Sequence, residues 1–294
     1  MQFTNPSIAE ALVLIDSHTH ILPDEFRSDR DRIARADATF GALFASAEAK
    51  TASAEDLIAS MDAAGVVASV AAGYGWTDIG VARLANDYAL ASAKKYPKRI
   101  IPFCSVNPLW GQSAAQEVRR CAEVGARGIG ELHADTQGFA SGDPAVLKRL
   151  APVMKAARSF GLPVLVHASE PVGHVYPGKG TFTPDRLVAL PSAYPDNAFI
   201  FAHFGGGLPF YAHMPEVAKL LRNVYFDSAA QPFLYDQRVY RSALTALGSR
   251  RVLFGSDFPL VSQTRALAAA RTAGLAQAEL NATLGATANA LFTL

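Results

Sequence analysis

The sequence predicts an α/β fold, specifically a (β/α)8 TIM barrel with an insertion after the first strand, on three observations. Short apolar runs ended by turn residues alternate with longer helix-like segments, eight times over. The chain has 294 residues, and a single barrel of this kind needs roughly 250. No GxGxxG or GxxxxGK(S/T) loop follows the first run, which counts against the doubly wound open sheet.

The eight runs are 13–20 (VLIDSHTH), 66–73 (VVASVAAG), 100–106 (IIPFCSV), 128–133 (GIGELH), 163–167 (PVLVH), 198–203 (AFIFAH), 224–228 (VYFDS) and 252–257 (VLFGSD). Between them lie the helix patterns. Ser53 and Asp56 form a capping-box signature, and Gly65 stops the helix they open. Segment 83–95 ends before Pro97, and 113–124 ends at Gly125. Segment 145–160 ends at Gly161, with Pro152 expected to kink or interrupt it. Segments 184–190, 215–221 and 239–247 follow, and 264–291 supplies one or two more. Residues 21–53, rich in Ala, Asp and Arg, fall outside this alternation and are expected to form extra helices over the barrel mouth. The whole chain, 1–294, reads as one domain.

Composition excludes several classes. Half the residues are hydrophobic and 18% are charged, enough apolar mass for a sizeable core. With 27 basic and 26 acidic residues the formal charge is +1, so no electrostatic case exists for nucleic acid or an acidic membrane surface. The longest stretch free of charged side chains, 197–215, contains two histidines, three consecutive glycines and two prolines, so it is no membrane helix. The N-terminus lacks a basic region before its apolar run and does not read as a signal peptide. The two cysteines, Cys104 and Cys121, make no CxxC pair, and the expected location is the cytoplasm. Expected partners are a small-molecule substrate, with a homodimer as one option for assembly, and neither nucleic acid nor a membrane.

In such a barrel reactive groups gather at the C-terminal ends of the strands. The first run ends His18-Thr19-His20, and residues two apart in a strand share a face. The fifth ends at His167, the sixth at His203 and the eighth at Asp257. One such histidine carries little information, but the joint set suits a divalent metal, with zinc first and manganese or iron as alternatives. Glu131 on the fourth run reads either as a ligand bridging two ions or as an acceptor orienting a ligand histidine. One or two ions per chain are therefore expected. Asp16, one step deeper on the first strand, reads as supporting a ligand rather than being one. The loop after His167 places Glu170, His174, Tyr176 and Lys179 among glycines and prolines, and His133 follows Glu131. These five are candidates for contacting substrate, against the alternative of an ordinary polar loop. Arg27, Arg30, Arg32 and Lys179 are candidate cations for a substrate carboxylate.

The motifs IDSHTHILP (15–23), MDAAGV (61–66), GLPVLVHASE (161–170), FAHFGGG (201–207) and VLFGSDFP (252–259) span most of the chain. Together they resemble the amidohydrolase superfamily, in particular its amidohydrolase-related (amidohydrolase 2) branch of metal-dependent hydrolases and decarboxylases. The resemblance implies a metal held by His18, His20, His167 and Asp257, with His203 a second-metal ligand or a catalytic group beside the metal. Large binuclear members carry a carbamylated lysine on the fourth strand; Glu131 stands there instead, which leaves the metal count open. The first expectation is a metal-dependent hydrolase of a small amide, lactone or ester, with Asp257 taking the proton of a metal-activated water. The alternative is a decarboxylase or hydratase of a small aromatic or enol-type carboxylic acid. An oxygenase or a non-catalytic barrel subunit is weighed below both.

Overall fold

The computed structural model describes residues 13–294. Most of the N-terminal stretch read above as lacking a signal sequence is residues 1–12, which lie outside the described part. Eight strands follow in chain order: β1 (Ile15–His20), β2 (Ala68–Ala72), β3 (Ile100–Cys104), β4 (Gly128–Leu132), β5 (Val164–Val166), β6 (Phe199–Phe201), β7 (Val224–Asp227) and β8 (Val252–Leu253). Each pairs in parallel with the next, in the order β1 to β8. Between β8 and β1 the backbone bonds Ser17 N to Phe254 O (2.8 Å), Asp257 N to His18 O (2.9 Å) and His20 N to Phe258 O (2.8 Å) complete the ring. The fold is thus the (β/α)8 barrel that the alternation predicts.

Strands of a parallel barrel are covered on both sides, which is why they read as unbroken apolar runs rather than alternating ones. Ile15, Val70, Phe103, Leu165, Ile200 and Leu253 cluster together, with Phe292 and Ala288 of the last helix (Thr287–Phe292) packed against them. The Phe103 ring lies so close to Gly128 that a side chain there would collide with it.

Helix ends follow local chemistry. Ser53 and Asp56 make the reciprocal capping box and Gly65 ends the helix Ala54–Ala64 in the left-handed conformation (φ 71°). Segment 145–160 is two helices, Pro144–Lys148 and Ala151–Ser159, and Pro152 sits in the first turn of the second. A missing N–H costs nothing there. Segment 184–190 divides in the same way into Pro184–Leu187 and Ala189–Ala193, with Pro191 in the later first turn. The eighth run differs more. Only Val252 and Leu253 belong to the ladder with β7. Beyond them the chain turns toward β1, because Ser256 N and Oγ both bond the Asp16 carboxylate (2.9 and 2.6 Å).

Residues 21–53 contain three short helices, Glu25–Ser28, Arg30–Ala36 and Ala38–Phe44. Phe26, Ile33, Phe40 and Phe44 pack against Trp76, Val81 and Ala85 of the second strand–helix unit. Buried Asp37 joins the two by accepting bonds from Phe40 N (2.9 Å), Thr77 N (2.6 Å) and Asp78 N (2.8 Å). No helix among the described residues is long and apolar enough to cross a membrane.

One buried charge network steadies the wall beneath β3. Glu117, 1% exposed, accepts from Arg120 (2.7 and 2.9 Å) and from Asn86 (2.9 Å), while Asn86 also holds both backbone groups of Ser105. Burial opposes the charge, but the bonds from Arg120 and Asn86 outweigh it and bring the Glu117 carboxyl down to about 2 from 4.5. Glu117→Gln should therefore lower stability by roughly 1–3 kcal/mol near neutral pH, read by urea unfolding. A carboxyl that titrates lower in the folded state contributes fully above about 4.5 and loses that contribution as pH falls toward 2. The gap between parent and variant should close over the same interval; a gap constant with pH would assign the effect to shape rather than charge.

Candidate metal centre

His18 and His20 project from β1 to one side and their Nε2 atoms approach to 3.0 Å. Glu131 on β4 stands between two pairs of imidazoles. Its Oε2 lies 3.5 Å from His18 Nε2 and 3.7 Å from His20 Nε2. Its Oε1 lies 3.0 Å from His167 Nδ1 and 3.6 Å from His203 Nε2. Asp257 Oδ1 is 3.4 Å from His20 Nε2 and 4.0 Å from His18 Nε2. The donors fall into two groups sharing one carboxylate, His18–His20–Glu131 and Glu131–His167–His203, all buried.

Tautomers sharpen the picture. His20 Nδ1 meets the carbonyl of Ala72 (3.1 Å), and His203 Nδ1 that of Ala229 (3.0 Å). Carbonyl oxygens only accept, so each Nδ1 carries the hydrogen and each Nε2 offers a lone pair inward. His18 Nδ1 meets the Asp227 carboxylate at 2.8 Å with the same consequence. Two ring nitrogens with inward lone pairs at 3.0 Å demand a cation between them. Without a metal that cation is a proton. Burial opposes a charge on His18, but the Asp227 and Glu131 carboxylates overcome it and hold the imidazole well above its usual value. His203 is pushed up to about 9 against burial by its bond to Glu131 and by the Asp257 and Glu131 charges. Asp257 is held at about 2 against burial by His20, His18 and His203, and Glu131 lies well below its usual value for similar reasons. Nitrogen and carboxylate donors with inward lone pairs fit a divalent transition metal.

The chain turns abruptly to bring in the last two donors. His203 follows β6 in the left-handed conformation (φ 57°), as do Phe204 and Gly205–Gly207 after it. Gly206 lies against the backbone of Ser169 with no room for a side chain. Asp257 also has positive φ (66°). Both lie past their strands rather than at the strand ends read from sequence.

Above the donors opens a cavity of about 580 Å³. His20, Glu131, His167, His203 and Asp257 line its floor, and Leu43, Phe44, Tyr74, Phe233, Leu234 and Leu260 much of its wall. A larger hollow of about 900 Å³ at the opposite end of the barrel, lined by Val13, Ile101 and Lys94, holds none of these donors. Reactive groups belong at the C-terminal end of the strands, so the smaller cavity is the site.

Of the five residues proposed to contact substrate, His133, His174 and Tyr176 line the cavity. His133 stacks on His167 at 4.6 Å, and burial together with the charge on His167 lowers it to about 4. The structure does not bring Glu170 or Lys179 to the cavity wall. Glu170 accepts from the hydroxyls of Tyr176 (2.9 Å) and Tyr235 (3.1 Å), and Lys179 Nζ donates to the carbonyls of Val172 (2.8 Å) and His174 (3.0 Å). These groups fasten their own loop. Arg27, Arg30 and Arg32 are likewise spent on Thr51 and Asp56, on the Phe44 and Ser46 carbonyls, and on Asp29. Asp16 is no ligand; it bonds Ser256, Gln263 and His18 N, and burial raises it to about 6 against those bonds.

Three residues escape the sequence reading. Lys50, at the end of the insertion, is the lysine on the cavity wall. Tyr74, one residue past the second run, stacks on His20 at 4.0 Å. Asp227 is the last residue of β7. In the run VYFDS it stands one residue before the end, so the run-end signal that picked out His167 and His203 passed it by.

A barrel with clustered histidine and carboxylate donors at the C-terminal ends of its strands defines a class of metal-dependent barrel enzymes. The family model described as amidohydrolase matches residues 15–294, and the chain belongs to that family. It is 23% identical over 207 residues to a 2-amino-3-carboxymuconate-6-semialdehyde decarboxylase of Dictyostelium discoideum, a match spanning 61% of this chain and 56% of that protein. Among solved structures it resembles the 5-carboxyvanillate decarboxylase of Sphingomonas paucimobilis (TM-score 0.79, 18% identity, 97% of this chain and 100% of the other). It is also similar to that of Novosphingobium aromaticivorans in complex with manganese and a nitrobenzoic acid (TM-score 0.77, 19% identity, 97% of each chain).

Protein purified without chelator should carry divalent metal, and dialysis against a chelator should remove it and lower the melting temperature. His20→Ala should weaken retention of metal at least tenfold by competition with a chromogenic chelator. Unchanged retention would take His20 out of the donor set.

Proposed function

We propose that the protein is a metal-dependent decarboxylase of a small aromatic or enol-type carboxylic acid. The observation that carries this reading is the pairing of a polar floor of donors with an apolar, aromatic-lined wall. A flat acid fits that space with its carboxylate and adjacent oxygen on the floor and its ring between Phe44, Tyr74, Phe233 and Leu260. The decarboxylases among its relatives support the same choice, and move decarboxylation ahead of the hydrolysis expected first from the motifs.

His18, His20, His167 and Asp257 would hold the ion, zinc or manganese, with Glu131 as a further donor. A bound divalent ion supplies a Lewis acid that anchors the acid and withdraws charge from the carbon losing carbon dioxide. His203 has its Nδ1 committed to Ala229 O, so Nε2 is the atom that can carry a proton to substrate. Loss of carbon dioxide leaves an electron pair on the ring carbon. The proton from His203 Nε2 takes that pair, and solvent returns a proton to the imidazole. Lys50, on the cavity wall with Nζ 3.4 Å from Leu260 O, can meet a second anionic group at the rim.

Glu131 supports a second reading. With each oxygen facing a different pair of histidines, Glu131 could serve two ions, held by His18 and His20 on one side and by His167 and His203 on the other. Two such ions would supply an activated water for hydrolysis of a small amide, lactone or ester, with Asp257 as the proton acceptor.

A panel of hydroxybenzoates and hydroxy-substituted enoic acids, run beside lactones and esters, separates the two. Decarboxylation should release carbon dioxide from an acid of the first group, and His203→Asn should lower that rate about 10²–10⁴-fold. Acid release from a lactone with no carbon dioxide from any acid would reverse the assignment.

A further inference from the structure

We infer that Asp227 is a positioning residue that sets two of the site's histidines at once, by fixing the tautomer of His18 and by holding the left-handed turn that carries His203. The inference rests on the metal-binding part of the proposed function and is independent of whether decarboxylation or hydrolysis follows.

The two oxygens of Asp227 do different work. Oδ2 accepts from His18 Nδ1 at 2.8 Å. Oδ1 accepts from the backbone N–H groups of His203 and Ala229, both at 3.0 Å. Side chains at Asp227 and His18 are fully buried, so neither set of bonds is exchanged with water. Ala229 in turn offers its carbonyl to His203 Nδ1 (3.0 Å). One carboxylate at the end of β7 therefore reaches across the barrel to β1 and sideways to the turn after β6.

Each link has a physical reason. His20 and His203 have their Nδ1 hydrogens fixed by main-chain carbonyls, which no substitution alters. For His18 the acceptor is a side chain, so the direction of its lone pair is written in the sequence. A carboxylate in that place also makes the imidazole a stronger donor. The turn needs its own support, because His203 and Phe204 adopt positive φ (57° and 52°) with side chains present. That conformation brings Cβ too close to the following carbonyl oxygen and is unfavourable for any residue with a side chain. The bond from His203 N to Oδ1 offsets part of this and points the imidazole at Glu131.

Asp227→Asn separates the two roles. The amide oxygen can still accept from His203 N and Ala229 N. The amide nitrogen, now facing His18 Nδ1, is a donor, so the ring must accept there and carry its hydrogen on Nε2, the atom needed inward. Zinc chloride and manganese chloride would be titrated into metal-free parent and variant by calorimetry, with the metal-free melting temperature read alongside. Asp227→Asn should raise the dissociation constant about 10–100-fold while its metal-free melting temperature stays within a few degrees of the parent. Asp227→Glu restores two accepting oxygens and should recover much of that loss; it also covers the case in which the asparagine variant does not fold. The cobalt(II) forms should differ in their visible spectra, as loss of one nitrogen donor requires. Equal affinity in parent and asparagine variant would overturn the inference and leave the proposed function intact. A parent that binds neither metal would instead overturn the metal-dependent reading itself.

Discussion

The seam between β8 and β1 is the constraint on which the site depends. Seven strand pairs form between chain neighbours, but closure joins residues from opposite ends of the sequence. At its centre the buried Asp16 carboxylate accepts from Ser256 N and Oγ and from Gln263 Nε2 (2.8 Å). These bonds turn the chain at Gly255–Ser256, and the next residue, Asp257, arrives beside His20. Burial alone raises the energy of an ionised Asp16, and its carboxyl sits at about 6 for that reason. Four donated hydrogen bonds are what let a carboxyl persist in the wall at all. Barrel closure and the delivery of Asp257 to the site are thus one event.

A second dependence runs through charge. Glu131, Asp227 and Asp257 surround His18, His20 and His203, which are buried beneath the cavity floor or open only onto it. Burial opposes charge on both sets, and it is overcome mutually: the imidazoles hold Glu131 and Asp257 below their usual values, and the carboxylates hold His18 and His203 above theirs. Such a cluster is a poor way to stabilise a fold, because the desolvation of several charges exceeds what apolar packing of the same volume would cost. Its persistence at the C-terminal end of the strands makes sense as a site prepared for a cation.

The eight strands were legible because a barrel strand buried on both faces leaves a continuous apolar run bounded by turn residues. Their ends were less so. The run 252–257 contains only two ladder residues, since what ends β8 is a bond to Asp16, some 240 residues away. The donors were readable as a joint pattern, for which His18-Thr19-His20 supplied the anchor. Asp227 was missed because its run closes one residue later, at Ser228, so it did not stand at a run end as His167, His203 and Asp257 do. Lys50 and Tyr74 owe their place to how the insertion and the second loop fold over the mouth, which no local spacing encodes. Glu170 and Lys179 show the converse. A loop rich in ionisable groups reads as substrate-facing, yet those side chains are needed to hold a glycine- and proline-rich segment that has little else to fix it.

Near-neutrality of the chain acquires a local meaning from this arrangement. Arg27, Arg30 and Arg32 of the insertion are tied to carboxylates and carbonyls of the scaffold, so their side chains are not aimed into the cavity. On the cavity floor the Glu131 and Asp257 carboxylates are balanced by the imidazoles beside them, so the metal-free floor offers an anionic acid little net attraction. Lys50 at the rim, exposed and therefore screened by solvent, adds little to that attraction. A divalent cation on the floor would add positive charge beyond that balance and would dominate the local field. Under the proposed function an anionic substrate and the metal would therefore be coupled already at the binding step, before any chemistry, and the residues of the floor would govern recognition as much as reaction.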